Sequence, residues 1–146
     1  MNMMAGLEIS FSALQAQRIR MNVIAANLAN AETTRTPEGG PYKRREVIFA
    51  AQPEVSSFEA LLRDRLQQGL SKVRVLDIIT DPQGTRVVYD PDHPDADAQG
   101  YVTLPNINLI QEMVDLMSAS RAYEANVTAI NAFKDMVSRA LQIGKA

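Results

Sequence analysis

The chain has 146 residues, enough for one domain with a sizeable core, and its formal net charge is −2. Without an excess of basic residues, the composition gives no electrostatic support for binding nucleic acid or an anionic membrane. Cysteine is absent, which excludes disulfides, thiolate metal ligands and cysteine nucleophiles, and the lack of tryptophan predicts an aliphatic core in which methionine fills gaps.

The N-terminus does not read as a usual targeting segment. Its first ten residues, MNMMAGLEIS, have no Lys or Arg ahead of the apolar residues, unlike a secretory signal. No apolar run reaches the roughly 18 residues of a membrane-spanning helix. We therefore expect a chain that does not span a membrane and that, if it leaves the cytoplasm, is exported without cleavage of a signal peptide.

A heptad pattern predicts a long first helix over about residues 7–31, with no Gly or Pro to interrupt it. The opposite face is apolar as well, with Ile9, Ile19 and Val23. One partner helix covers only part of a helix surface, so we expect this second face to contact other copies in an assembly. The alternative is a helix buried in a larger globular core. The main seam consists of Leu7, Phe11, Leu14, Met21, Ile24 and Leu28.

In the middle of the chain the apolar period changes to two, which predicts a β-rich insert over residues 35–105. REVIF (45–49) and YVTLP (101–105) are predicted strands, the second ended by Pro105. KVRVLDIIT and TRVVYD flank the turn sequence DPQG and predict a β-hairpin. Ser56 and Glu59, spaced as a capping box, predict one short helix at about residues 55–68.

A second heptad pattern predicts a helix from Asn108 to Ile143, with Gly144 as its stop. We therefore predict an α+β fold in which residues 1–34 and 106–146 pair as a coiled coil around the small insert. The seam of this second helix consists of Leu109, Met113, Leu116, Tyr123, Val127, Ile130, Phe133 and Val137.

Three asparagines lie on or beside these seams. A polar residue on a coiled-coil seam costs stability but fixes register and partner, which is the role expected for Asn27 and considered for Asn126. The alternative is a polar side chain at the edge of the seam, bonded to water. This alternative stays open for Asn126 and is preferred for Asn30.

The sequence DPDHPDAD gathers four aspartates around the single histidine, His93. Carboxylates suit calcium, but the glycine and closing glutamate of a calcium loop are missing, and Pro91 and Pro94 impose extended geometry. We predict a rigid solvated turn, and no metal site. The basic run Lys43–Arg45 either contacts such a turn on another subunit or is a solvated strand entrance.

The residue inventory argues against catalysis and against a bound cofactor. There is no cysteine nucleophile, the one histidine has no suitable serine nearby, and glycine patterns for phosphate or dinucleotide binding are absent. We predict that the chain is not an enzyme.

Several stretches carry a family resemblance. SALQAQRIRMNVIAANLANAET resembles the N-terminal signature of bacterial flagellar rod, hook and hook-associated proteins, and the segment from Ile107 to Lys145 resembles their C-terminal helix. Its most recognisable part, SRAYEANV, contains Arg121 and Asn126. GGPYKRREVIF and YDPDHPDADAQGYVTLPNIN are similar to the proximal-rod members.

The resemblance implies a structural subunit of the flagellar basal body that polymerises helically in the periplasmic drive shaft. Its implied partners are copies of itself, other rod proteins, the flagellar type III export apparatus and adjoining basal-body components. Two alternatives are a soluble coiled-coil adaptor and a calcium-dependent binding module. A packing role for the acidic turn follows from the same resemblance, through Asp90, Pro91, His93, Pro94, Asp95, Gly100 and Tyr101.

Overall fold

A computed structural model of the chain describes residues 3–53 and 71–144. Within these residues the fold is α+β, as predicted, with two long helices and four strands. The short helix predicted at about residues 55–68 lies outside the described residues. The elements in chain order are α1 (Met3–Ala29), β1 (Arg45–Pro53), β2 (Ser71–Thr80), β3 (Thr85–Tyr89), β4 (Tyr101–Pro105) and α2 (Leu109–Ile143).

Polar or glycine residues mark both ends of α2 and the end of α1. Asn108 caps α2, because its side-chain oxygen accepts hydrogen bonds from the backbone N–H groups of Ile110 at 3.1 Å and Gln111 at 3.2 Å. At the other end of α2, the N–H of Gly144 donates to the carbonyl of Ala140 at 3.1 Å. The end of α1 is closed by Asn30, whose side-chain amide donates to the carbonyl of Ala26 at 2.9 Å.

The strands form two separate two-stranded sheets, β1–β2 and β3–β4. In the second sheet the strands are antiparallel, with Tyr89 opposite Tyr101 and Val88 opposite Val102. Val102 is buried, whereas the alternate residues Val87 and Tyr89 are exposed. The β3–β4 hairpin therefore has one face on the core and one face in solvent.

The predicted hairpin between the strands at 72–80 and 85–90 is wrong, because β2 and β3 belong to different sheets. The turn itself forms, with the N–H of Gly84 donating to the carbonyl of Asp81 at 3.2 Å. However, Asp81 N–H donates to the carbonyl of Arg44 at 2.9 Å, and Asn106 N–H donates to the carbonyl of Gly84 at 2.8 Å. The turn therefore connects two sheets, since each side of it is bonded to a different partner segment.

The chain divides into two compact units, and four elements contribute to both. One unit comprises residues up to Ile19, Phe49–Leu76 and the chain from Ala119 onward. In it, β2 lies beside α1, because Val73 N–H donates to the Ser12 hydroxyl at 3.1 Å. Gly6 faces the ring of Phe133 of α2 so closely that a Cβ there would lie 2.9 Å from a ring carbon.

The other unit comprises Arg20–Ile48 and Asp77–Ser118. Ala31, Tyr42 and Ile107 form its buried apolar cluster. Val102 and Pro105 of β4 are also fully buried. This unit also contains the buried polar side chains of Asn27 and Glu112.

The second apolar face of α1 is partly buried within the single chain. On α1 the face opposite the seam is not free, since Val23 is buried and Ile9 and Ile19 are half-buried. Strand β2 lies beside this helix where Val73 N–H donates to Ser12. Contact of the half-buried remainder of this face with other copies stays a prediction. No helix among the described residues combines the length and apolar character needed to cross a membrane.

Candidate functional site

Asn27 is a buried side chain, 1% exposed, on the last turns of α1. Its amide nitrogen donates to the backbone carbonyl of Arg45 at 2.8 Å and to Oε2 of Glu112 at 3.1 Å. Its amide oxygen accepts from the backbone N–H of Arg45 at 2.9 Å and from the hydroxyl of Tyr42 at 3.1 Å. All four hydrogen-bonding positions of the amide are therefore used.

Glu112 is the acidic partner in this cluster and is also 1% exposed. Its Oε1 accepts a 2.7 Å hydrogen bond from Nε of Arg44, which raises the pKa of the Arg44 guanidinium. Arg44 also approaches Glu46, with 3.6 Å between the charged atoms. A buried carboxylate is tolerated only when it is paired and hydrogen-bonded in this way.

Tyr42 closes the cluster from the loop before β1. Burial raises the pKa of its phenol, because the charged phenolate is poorly solvated there. The guanidinium carbon of Arg45 lies 5.7 Å from the centre of the Tyr42 ring, in a cation–π arrangement. Asn27, Tyr42, Arg44, Arg45 and Glu112 are named the polar cluster below.

The polar cluster joins α1, α2 and the start of β1 within one unit. Asn27 was predicted from the sequence to fix register, whereas Tyr42 and Glu112 were not singled out. Arg44 was noted as part of the basic run, for an acidic turn on another subunit or for solvent, but it is half-buried and bonds Glu112 of its own chain. A signal for Glu112 was present, since it stands three residues after Leu109 and four before Leu116, on the apolar stripe of α2. An acidic residue at such a position needs a partner.

The other residues considered for register behave differently. The Asn126 amide donates to the carbonyl of Ala122 of its own helix at 2.8 Å. Asn30 likewise bonds its own helix and accepts from the Thr33 hydroxyl at 3.2 Å. Arg121 is exposed. Among the described residues, none of these three side chains bonds to the other helix.

The acidic turn, residues 90–97, is held by hydrogen bonds to its aspartates. Asp95 accepts from the Thr34 hydroxyl at 2.6 Å and pairs with Arg35 at 2.6 Å, and these contacts, the hydroxyl first, lower the pKa of its carboxyl. The ring nitrogen Nδ1 of His93 accepts from the backbone N–H of Asp95 at 3.0 Å. Asp90, Pro91 and Pro94 are exposed.

The exit from the turn depends on Asp97 and Gly100. Asp97 accepts from the backbone N–H groups of Tyr101 and Gln99, which lowers the pKa of its carboxyl. Gly100 is buried with φ +84, and a Cβ there would lie 2.9 Å from the Tyr89 ring. The rings of Tyr89 and Tyr101 meet edge to face, with 5.3 Å between centroids.

The described part of the chain contains no group of three or more His, Cys, Asp or Glu that could hold a metal ion. The acidic turn therefore offers calcium no built site, because Asp95 and Asp97 are already used by neighbouring groups. The calcium-dependent alternative has no structural support in these residues.

The predicted seam residues are mostly half-buried in the single chain, and Ile24 is fully buried. Three of them, Phe11, Leu109 and Met113, are exposed. The half-buried ones are Leu7, Leu14, Met21, Leu28, Leu116, Tyr123, Val127, Ile130, Phe133 and Val137.

The largest series of exposed apolar side chains lies at the start of α2 rather than on α1. Ile110 is 72% exposed, and Met117, two turns further along the helix, is 55% exposed. This series, named the α2 apolar face, consists of Leu109, Ile110, Met113, Val114 and Met117. Beyond Ala119, no described residue of α2 is buried. Such a surface is typical of a chain that packs against neighbours.

Comparison with known proteins agrees with this arrangement. A family model for flagella basal body rod proteins matches residues 7–35, within and just after α1. A model for the C-terminal part of flagellar basal body rod FlgEFG proteins matches residues 98–143, from just after the acidic turn through β4 and α2. The matched regions contain Asn27 and Glu112, the two helix residues of the polar cluster.

Relatives match over nearly the whole length. The flagellar basal-body rod protein FlgC of Borreliella burgdorferi is 45% identical over 98% of this chain and 98% of its own. The FlgC proteins of Bacillus subtilis and Yersinia enterocolitica are 46% and 41% identical, over 95% and 99% of this chain and 96% and 100% of theirs. The resemblance read from the sequence is confirmed. At this identity and coverage, the chain belongs to the FlgC family of flagellar basal-body rod proteins.

Proposed function

We propose that the chain is a structural subunit of the flagellar basal-body rod. The observation that carries this proposal is the near-full-length similarity to proteins named for that rod. The family is a family of structural rod proteins and not of enzymes. The α2 apolar face and the unburied remainder of α2 agree with a role in assembly, because an isolated chain leaves this surface in water.

The two helices act as a coiled coil between the chain's ends, with residues 1–34 and 106–146 as the helical part and residues 35–105 as the insert. Contacts within each unit support this pairing. In one unit Gly6 of α1 meets Phe133 of α2. In the other, Arg20 lies 3.8 Å from Asp115, and Asn27 bonds Glu112.

The rod is assembled by helical addition of copies, on the periplasmic side, after export without signal cleavage through the flagellar type III apparatus. These finer points rest on the family resemblance. The partners are then other copies of the chain, other rod proteins and adjoining basal-body components. The seam residues and the α2 apolar face are the surfaces that such neighbours contact.

Deletion and complementation in the source bacterium test this function. Removing the gene is expected to abolish swimming and to leave basal bodies without a complete rod, as seen by electron microscopy of purified basal bodies. Expression of the wild-type chain restores both. A deletion strain that still builds complete rods would contradict the proposal.

A further inference from the structure

A polar cavity of about 420 Å³ opens beside the loop that precedes β1. Its walls include Tyr42, Lys43 and Arg45, together with Thr36 and Glu38. Two cationic side chains and one carboxylate leave the cavity with an excess of one positive charge. This size is sufficient for one or two side chains of a partner.

The three basic residues of the run 43–45 have separate roles. Arg44 turns inward to Glu112. Lys43 is exposed and has no ion pair among the described residues, and Arg45 is held against the Tyr42 ring without a carboxylate partner there. The cavity therefore presents two positive charges, one of them fixed in position by ring stacking, and neither is neutralised by an ion pair within the described chain.

The four aspartates of the acidic turn likewise fall into two pairs, one with partners inside the chain and one exposed to solvent. Asp95 and Asp97 are used by internal hydrogen bonds. The carboxylates of Asp90 and Asp92 are exposed and have no partner within the described residues. The turn also has a fixed shape, because His93 N–H donates to the carbonyl of Asp90 at 3.3 Å and Asp90 N–H donates to that of Gly100 at 2.9 Å.

We propose that the acidic turn of one copy enters the basic cavity of a second copy, where Asp90 and Asp92 pair with Lys43 and Arg45. This inference rests on the proposed function, since a rod supplies many copies side by side. The contact joins two different surfaces of the same chain, so it leaves the cavity free on the copy that supplies the turn and the turn free on the copy that supplies the cavity. A heterologous contact of this kind builds an open helical array, as a rod requires, when its rotation does not close into a ring.

A second copy suits the cavity better than other anions. An excess of one positive charge is too small for a nucleic-acid backbone, which needs a series of phosphate contacts. The partner carboxylates are already held in a rigid turn, so little side-chain and backbone freedom is lost when they bind. Charge complementarity of this type sets orientation and register between neighbours.

Carbodiimide coupling tests the contact directly, because it joins an amine to a carboxylate only where the two touch. Purified chain labelled with ¹⁵N is mixed with unlabelled chain at low salt, coupled, digested and analysed by mass spectrometry. We expect a cross-link between Lys43 of one isotope form and Asp90 or Asp92 of the other. The Lys43→Arg variant keeps the positive charge but has no amine to couple, so it must lose the cross-link. Lys134 is an exposed lysine outside the contact, so it must not couple to Asp90 or Asp92 of the other copy. Absence of a mixed-isotope cross-link at Lys43, or coupling through Lys134 instead, would overturn the proposal.

A second experiment expresses charge-reversal variants of the two surfaces in the deletion strain and counts complete rods. Lys43→Glu and Asp92→Lys are each expected to reduce the number of complete rods by about tenfold, since each places like charges together. Coexpression of the two single variants should restore rods. In an array in which the two variants alternate, the Asp92→Lys turn meets the Lys43→Glu cavity, and the unchanged turn meets the unchanged cavity. Lys134→Glu is the control and should act like wild type. If the wild-type chain restores swimming but both single variants do so equally well, the contact is wrong while the rod function stands.

Discussion

Asn27 of α1 and Glu112 of α2 are 85 residues apart in the chain and are joined by a 3.1 Å hydrogen bond between two buried side chains. The same Asn27 amide holds both backbone groups of Arg45 at the start of β1. One side chain therefore ties both helices to the first strand. Because every donor and acceptor of the amide is used, only one register of these three elements satisfies it.

Replacement of this amide should be costly. Asn27→Ala leaves Oε2 of Glu112, the Tyr42 hydroxyl and the backbone of Arg45 without the bonds that Asn27 supplies, so we expect about 3 kcal/mol less stability in urea unfolding followed by circular dichroism. The matched control is Asn30→Ala, which removes only local bonds to its own helix and the adjacent turn and should cost less than about 1 kcal/mol. Equal losses at the two positions would show that the polar cluster has no special role.

The raised pKa of Tyr42 predicts a stability change at high pH. In the unfolded chain a phenol ionises near pH 10, and in the folded chain burial moves this ionisation of Tyr42 to higher pH. Between the two pKa values the unfolded state binds fewer protons, so the free energy of unfolding falls as pH rises. The contribution of the protonated Tyr42 phenol to the free energy of unfolding is therefore complete below about pH 10 and is lost as the pH rises above it.

Tyr42→Phe isolates this contribution. It should lower stability by about 1 kcal/mol at neutral pH, through loss of the hydrogen bond to Asn27. It should also reduce the downward slope of unfolding free energy against pH above about pH 10. Urea titrations from roughly pH 8 to pH 11 measure both effects. An unchanged slope in the variant would contradict the assignment to Tyr42.

Gly100 provides a test of the turn's fixed shape. Gly100→Ala adds a Cβ within 2.9 Å of the Tyr89 ring and 3.2 Å of Pro91, at a backbone φ of +84. We expect a loss of about 2–4 kcal/mol in thermal or urea unfolding, from backbone strain and overlap together.

Gly39→Ala is the matched control for this variant, because φ there is +91 but no heavy atom lies within 4 Å of the added carbon. It should show the backbone strain alone, about 1 kcal/mol. A Gly100→Ala chain as stable as the Gly39→Ala chain would mean that contact with the tyrosine and proline does not constrain the turn.

The α2 apolar face predicts a variant that folds but does not assemble. Ile110→Glu changes a side chain that is 72% exposed, so the stability of the single chain should shift by less than about 0.5 kcal/mol. Burying the new carboxylate against a neighbour would cost several kcal/mol at each copy. Swimming and complete rods should therefore be lost.

Asp135→Asn, an exposed change on the same helix, should swim normally and serves as the control for Ile110→Glu. Loss of motility in both strains, or in neither, would refute the assignment of the apolar face to assembly.

Local signals explain which parts of the fold could be predicted. The long helices follow from heptad spacing without Gly or Pro, and Pro105 ends β4 at its predicted residue. The DPQG turn also forms, as its sequence requires. Its strands do not pair with each other, because the choice of partner depends on Arg44 and Asn106, which lie outside the turn.

Burial of polar residues could be predicted only in part. A role for Asn27 could be predicted because it is a polar residue on an apolar seam. Its hydrogen-bonding partners could not, because they come from the loop before β1, from β1 and from α2. Glu112 finds Arg44 across 68 residues of sequence, and no local pattern specifies that pairing. The sequence also does not say how much of each helix is covered within the single chain, so the exposed apolar face of α2 could not be distinguished from the half-buried one of α1.

Electron cryomicroscopy of basal bodies purified from the source bacterium is the most direct test of the central claim. We expect the chain to occupy subunit positions in the rod, with Ile110, Met113 and Met117 buried against neighbouring subunits. A complete rod map in which this chain has no position, or in which these three side chains face solvent, would contradict it.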